Sequence, residues 1–232
     1  MRTLFIVTAL LSSFWLAGQN ETDSKGRKQG PWVAKYESGK VRYRGNFQDD
    51  IPVGTFEYFY MREGLMSKLY YRGTTNVARA EVFHKNGKLM ATGIYRNQEK
   101  DSLWTYYDRE GVKTSTEFYV NGLLQGPQLV FYESGELAQR IDFEAGVENG
   151  LWIRKWEGGG MRTKGIYVNG MLHGECTYFN DEGRPEARGH YVEGLKDGTW
   201  NYFNEGKVER VEVYKRGQME SFTDYSEDGS EQ

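Results

Sequence analysis

An aromatic residue returns every 24 residues along most of this chain. Phe47, Tyr71, Tyr95, Tyr119, Phe143, Tyr167 and Tyr191 keep the interval, and Tyr214 follows one residue early. A glycine column keeps time with it: Gly39, Gly64, Gly87, Gly111, Gly135, Gly159, Gly183 and Gly206. Two columns filled in every unit define an internal repeat. A period in the range of about 20–50 residues specifies a stacked array, in which each unit buries its apolar surface against its neighbours. One elongated array is therefore a better reading of these 232 residues than one or two compact domains.

The units open at Gly30, Gly54, Ala78, Ser102, Gly126, Gly150, Gly174 and Gly198. Each holds two short runs rich in Trp, Tyr, Phe and Val. Phrases such as Glu37-Ser38-Gly39 or Lys85-Asn86-Gly87 separate the two runs, and a short linker ending in Gly is a hairpin signal. A second turn follows the second run, at Asn121-Gly122, Asn169-Gly170, Glu193-Gly194 and Arg216-Gly217. Asn-Gly suits a tight primed turn because both residues tolerate positive φ. No segment beyond the N-terminus carries a useful apolar period of 3.6. The expected fold is all-β: an elongated single antiparallel meander of about eight 24-residue β-hairpin repeats.

Strand alternation assigns the faces. With Ser38-Gly39 at the turn centre, Glu37 pairs with Lys40 and Trp32 falls opposite Gly45. Trp32, Ala34, Tyr36, Val41, Tyr43, Gly45 and Phe47 then share one face, with the aromatic column as its packing spine. A ring over a cross-strand glycine compensates the missing side chain. Trp152 and Gly165 repeat that pairing, while Phe56 with Leu69 and Trp104 with Glu117 depart from it. The opposite parity carries a second stripe: Phe59, Phe83, Tyr107, Phe131, Phe179 and Phe203, with Lys35 and Lys155 at the same position in two other units. A one-sided antiparallel sheet would be polar there. This stripe is the candidate partner-binding surface.

Residues 1–18 read as a signal peptide. Arg2 supplies the charged start, Leu4 to Ala17 the apolar stretch, and Ala17-Gly18 the small residues before cleavage near Gln19. Cleavage removes Arg2 and no acid, so the net charge of -3 becomes -4. Residues 19–29 read as a flexible lead-in, 30–220 as the array, and 221–232 as a truncated repeat and acidic tail. That slight net charge gives no case for nucleic acid and does not indicate binding to anionic membrane. Cys176 is the single cysteine, which excludes an internal disulfide, and it stands where other units have Trp. His84, His173 and His190 lack a short-range metal-ligand spacing. Asp49-Asp50 falls in a turn and Glu227-Asp228 in the tail, a solvated setting for both pairs. No serine elbow or phosphate loop is present. No catalytic, cofactor-binding or metal-binding residue is expected, and no cofactor.

The phrases Gly165-Ile-Tyr-Val-Asn-Gly-Met-Leu-His-Gly174 and Gly189-His-Tyr-Val-Glu-Gly-Leu-Lys-Asp-Gly198 resemble MORN repeats (membrane occupation and recognition nexus). They are most similar to the longer variant labelled the YwqK-type antitoxin component of toxin–antitoxin systems. Tyr167, Gly170, His173 and Gly174 match the Tyr-x-x-Gly-x-x-His-Gly phrase of that family, and the resemblance covers about residues 30–220. The unit opening at Ala78 departs most, lacking the opening Gly and the Trp. The resemblance implies a hairpin array used for protein or membrane contact, without catalysis of its own. The sequence thus leads to an exported, non-enzymatic repeat protein of the cell envelope or exterior, with a protein or glycan partner. A structural or membrane-apposed scaffold, or an antitoxin-like protein that neutralises a partner by binding it, is the alternative. The edge strand of the last hairpin offers a route to self-association.

Overall fold

The computed structural model describes residues 19–62 and 64–225. Residues 1–18, expected from the sequence to be a signal peptide, and the tail residues from 226 onward lie outside them. The first half of the array holds β1 (Glu21–Thr22), β2 (Lys28–Lys35), β3 (Val41–Gln48), β4 (Ile51–Phe59), β5 (Leu65–Tyr71), β6 (Val77–Phe83), β7 (Leu89–Arg96), β8 (Glu99–Tyr107), β9 (Lys113–Val120) and β10 (Leu123–Leu124). The second half holds β11 (Gly126–Phe131), β12 (Leu137–Glu144), β13 (Val147–Lys155), β14 (Met161–Val168), β15 (Met171–Leu172), β16 (Gly174–Phe179), β17 (Pro185–Val192), β18 (Leu195–Asn204), β19 (Lys207–Lys215) and β20 (Gln218–Asp224). Each strand pairs antiparallel with its neighbours in the chain, so the sheet is one continuous meander. The short strands β10 and β15 are the first halves of β11 and β16, and both halves pair with the same neighbour.

The two turns of a repeat are different objects. At the first, the Tyr36 N–H donates to the Lys40 carbonyl and the Gly39 N–H to the Tyr36 carbonyl, closing a loop over Glu37, Ser38 and Gly39. Gly39 has φ +82°, a left-handed conformation that favours glycine and accounts for the invariant column. This loop alters one expected face. Lys35 pairs with Val41, and Arg42 is an extra residue before Ala34 meets Tyr43. Val41 therefore turns to the Lys35 side rather than joining Trp32, while the Trp32–Gly45 pairing stands. The residue missing before Gly206 shortens this loop to Glu205-Gly206, with φ +50° and +80°.

The second turn is the primed one expected: Asn121 and Gly122 have φ +49° and +78°, Asn169 and Gly170 +50° and +80°. Its glycine N–H donates outward, Gly122 to the Lys100 carbonyl and Gly146 to that of Leu124, so consecutive repeats are stitched turn to turn. A second ladder runs along the other margin. The Tyr36 hydroxyl donates to the Phe59 carbonyl at 2.7 Å, Tyr60 to Phe83 at 2.8 Å, Tyr132 to Lys155 at 2.6 Å, and His84 Nε2 bonds the Tyr107 carbonyl at 2.9 Å.

Residues 19–29 are hydrogen-bonded into the array rather than leading loosely up to it. β1 pairs with β2, and the Asn20 side chain exchanges two hydrogen bonds with the Val33 backbone, standing in for a further strand residue. Asp23 folds the turn by accepting from Arg27, whose guanidinium holds its carboxyl down to about 2.

A linked pair of positions eleven residues apart organises the core. Opposite Gly45, strand β4 carries three residues, because Arg44 pairs with Glu57 and Asn46 with Val53. Gly54 supplies the left-handed kink at φ +68°, and the Phe56 ring folds down onto Gly45. Trp104 covers Gly93 and Trp200 covers Gly189 in the same way. The ring on each of these glycines thus comes from the next hairpin, not from its own hairpin as parity suggested. Gly165 is flanked by both Cys176 and Trp152. In the divergent unit the sizes are exchanged: Leu69 stands for the glycine, Ala80 for the ring, and the ladder between them runs without a bulge. Phe56, Ala80, Trp104, Cys176 and Trp200 are all essentially fully buried. The spine packs edge-on against these rings: Phe47 on Phe56 at 5.1 Å, Tyr95 on Trp104 at 4.9 Å, and Tyr191 on Trp200 at 5.1 Å between centroids.

Candidate functional site: an aromatic groove on the spine face

The spine face is not uniformly filled. Across the first three repeats it opens into a groove of about 1100 Å³. Tyr43, Phe56, Tyr58, Tyr71 and Tyr95 supply aromatic rings, and Met66 and Leu69 add apolar surface. Arg42, the extra residue of the first hairpin, and Lys28 bring positive charge. Asn76, Asn97 and Gln98, from the second-turn margin, bring amides, and Asp50 is the carboxylate of the lining. Tyr43 and Tyr58 pack ring to ring at 5.6 Å, and Tyr58 also lies 6.4 Å from Phe56. The result is an apolar floor with polar groups at its margins, the usual composition of a small-molecule or chain-binding site.

Electrostatics keep the floor neutral. Burial, with Tyr71 and Tyr43 beside it, pushes the Tyr58 phenol up to about 12 against the opposing pull of Arg42. Burial also raises Tyr71 and Tyr95. The phenols therefore stay protonated at neutral pH and can both donate and accept.

Why the groove stops after the third repeat is visible in one column. Lys28, Pro52, Asn76 and Lys100 are equivalent positions. Asn76 is short and Pro52 lacks a long arm. Lys100 instead reaches over the floor, its ammonium 5.0 Å from the Trp104 centroid, 5.1 Å from Tyr106 and 4.8 Å from Tyr119. It donates to the Tyr106 hydroxyl at 2.6 Å. Glu117, at the repeat position of Gly45 and Gly93, accepts from Tyr119 at 2.6 Å and from Gln128, eleven residues on, at 2.8 Å. Burial alone would raise the Glu117 carboxyl, but the phenols of Tyr106 and Tyr119, the Gln128 amide and the Lys100 charge outweigh it and hold it low. Four repeats later Lys196 lies over Trp200 and Tyr214 and donates to Tyr202, while Glu212 accepts from Tyr214 and Arg210. These two Lys–Tyr–Glu boxes occupy the face that the groove leaves open.

The six stripe residues fall elsewhere. Phe59, Phe83, Tyr107, Phe131 and Phe179 each end the first strand of a hairpin, Phe203 stands one residue before the end of β18, and all six are half-buried. They pair with Leu65, Leu89, Lys113, Leu137, Pro185 and Val208. Cations lie over two of the rings, Arg44 on Phe59 and Lys113 on Phe131. None of the six lines the groove. The structure brings them together as a column along the first-turn margin, and carbonyls of this column accept the inter-repeat ladder. Sequence reasoning missed the groove. Its signal was the contrast between Pro52 or Asn76 and Lys100 or Lys196 at one repeat position.

No curated protein matches this sequence. Among solved structures, a mutant of S. aureus TarM in complex with Fondaparinux, alpha-GlcNAc-glycerol and UDP is similar to part of the chain. It has a TM-score of 0.25 and 9% identity over 62% of this chain. The matched part spans 21% of that structure's chain. The model of a family described as the MORN repeat variant matches residues 28–49 and 124–145, two windows four repeats apart. The chain is therefore a β-hairpin repeat protein with units similar to the MORN repeat variant.

Proposed function

We propose that this chain is an exported, non-enzymatic binding protein whose groove takes an extended glycan. The aromatic groove of about 1100 Å³ over the first three repeats carries the reading. Neutral phenols and ring faces offer stacking surfaces for sugar rings, and the amides of Asn76, Asn97 and Gln98 can hydrogen-bond sugar hydroxyls. An extended peptide suits the site less well. It gains most from an open strand edge, and the groove is floored by strands that already pair on both sides. Hydrolysis of a glycosidic bond calls for two carboxyl groups about 5–10 Å apart, whereas Asp50 alone supplies one to the lining. The leader-like segment 1–18 supports export.

Titration calorimetry against polysaccharides and glycan fragments of bacterial envelopes tests the binding. Tyr58→Ala and Tyr43→Ala should each weaken the response at least tenfold, with the strand signature in circular dichroism retained. Absence of binding across the panel would overturn the glycan reading. Capture of a protein, abolished by the same substitutions, would move it to an antitoxin-like, partner-neutralising role. Export predicts that the purified chain begins near Gln19.

A further inference from the structure

One repeat position carries a lysine at Lys28, Lys100 and Lys196. Two of the three are answered from within the chain. Glu117 lies near Lys100 and Glu212 near Lys196, each charge favouring the other, and both acids stand at the repeat position of Gly45. Phenols complete the match: Lys100 donates to Tyr106 at 2.6 Å and to Tyr119 at 3.3 Å, and Lys196 to Tyr202 at 2.7 Å. The first repeat keeps the cation and loses these acceptors. Gly45, Ala34 and Phe47 stand where Glu117, Tyr106 and Tyr119 stand three repeats later. The half-buried Lys28 still lies on ring faces, its ammonium 5.1 Å from the Trp32 centroid and 4.8 Å from that of Phe47. The carboxylate of this margin, Asp50, instead accepts the Lys28 backbone N–H at 2.8 Å.

The groove has a second cation at its other margin. Arg42, on the bulge of the first hairpin, is exposed and holds its guanidinium 5.5 Å from the Tyr43 centroid. Its neighbour Arg44, on the opposite face, is closed by Glu57. Among the described residues neither Arg42 nor the Lys28 ammonium forms an ion pair. Gly30 pairs with Phe47, so Lys28 lies level with Asp49. From Arg42 to that level is about 24 Å of extended strand.

We propose, building on the glycan reading of the groove, that the glycan is acidic: an extended chain whose sugars carry oxyanions, one seated on Arg42 and another on Lys28, with the rings between them stacked on Tyr43 and Tyr58. Where the chain itself fills this face, at Lys100 and Lys196, it brings a glutamate to the lysine. Where the face is open it brings none, and the counter-charge is left to the ligand. Arg42 adds a planar fork that grips a carboxylate or sulfate through two parallel hydrogen bonds. Such charge-assisted bonds are about twice as strong as neutral ones, so the two seats outweigh the one Asp50 carboxylate, already engaged by backbone. The distance between the seats exceeds a single sugar, which makes the ligand a chain.

Titration calorimetry on the protein purified after expression of the full sequence tests this with charge as the variable. The probes are polygalacturonate, alginate and hyaluronate, each beside its methyl ester, and dextran sulfate beside dextran. At least one acid should bind roughly tenfold more tightly than its neutral form, the effect of one hydrogen bond to a charged group. That ratio should shrink as salt is raised. Lys28→Gln and Arg42→Gln should each cut the ratio several-fold with strand content retained, whereas Arg109→Gln, exposed and away from the groove, should leave it unchanged. The carboxylate and sulfate arms identify which oxyanion is preferred. A neutral form bound as tightly as its acid overturns the inference and leaves the glycan reading standing. An equal fall in the ratio with Arg109→Gln overturns it too, since the preference would then follow overall charge. Silence from every acid also overturns it, and the glycan reading falls as well only if the neutral forms and the envelope panel are silent.

Discussion

The Phe56 ring lies face-on over Gly45, so that a Cβ built at position 45 would stand 2.5 Å from three of its ring atoms. The nearest group is a fully buried ring rather than the free end of a flexible chain. Gly45→Ala must therefore push Phe56 out of its seat between Phe47 and Tyr71. We expect a loss of about 1–3 kcal/mol, the usual cost of overpacking. Gly93→Ala, beneath Trp104, should behave alike. Urea denaturation followed by tryptophan fluorescence measures both, and an alanine tolerated at either site would contradict the seating described.

Ser102 occupies the opening position of its repeat with φ +59°, where six of the other units have a glycine in the same left-handed region. A side chain there costs roughly 1–2 kcal/mol. Ser102→Gly should stabilise the protein by about 1 kcal/mol, part of the relief being offset by the greater freedom of glycine in the unfolded chain. A shifted denaturation midpoint at unchanged slope is the expected reading.

The carboxyl of Glu212 is buried and is nonetheless held low, because the phenols of Tyr202 and Tyr214 and the charges of Arg210 and Lys196 outweigh its desolvation. Its folded value lies below the ordinary 4.5. A depressed carboxylate contributes stability that is present above its unfolded value and is lost as pH falls through the folded one. Glu212→Gln should then cost about 1–3 kcal/mol at neutral pH, the range for hydrogen bonds to a charged group. That cost should shrink steadily as the pH falls from about 4.5. Denaturation series at pH 7, 5 and 3 give the comparison. A penalty that does not change with pH would show that shape, not charge, holds the box together.

Tyr132 donates to the Lys155 carbonyl of the next repeat at 2.6 Å. Tyr132→Phe keeps the ring and removes that rung. The expected loss is about 1 kcal/mol. Hydrogen exchange should locate it at the boundary between β11 and β13, with the first-turn amides on either side losing protection together.

The 24-residue columns were legible because each reports one strand position repeated under the same local rule. Gly39 needs a left-handed φ, Asn121-Gly122 a primed turn, Tyr95 a partner ring. All of these act within a few residues of themselves. The ring over each glycine was not legible, because it depends on a bulge in the neighbouring strand that parity counting does not contain. Once Gly45 and Phe56 are seen to touch, the exceptions order themselves. Leu69 with Ala80 exchanges the sizes, and Glu117 with Gln128 replaces packing by a hydrogen bond. The groove escaped for the opposite reason: it is made by what Pro52 and Asn76 do not reach, and regular columns draw the eye to what is present. The residues from Phe59 to Phe203 stand as a column along the first-turn margin, and carbonyls of that column serve the ladder between repeats.

With β10 counted with β11 and β15 with β16, every strand of the described residues has only its chain neighbours beside it in the sheet. A force applied to the two ends therefore pulls across the strands and loads the hydrogen bonds of one edge at a time. Nothing elsewhere in the described residues clamps the edges together, as a strand crossing back over the sheet would. Stretched between a bead and a surface, the chain should open like a zipper, in low, evenly spaced steps. Each step would release one repeat of 24 residues, about 80 Å of extended chain. The evenness of those steps would be the mechanical image of a period first met as a column of rings.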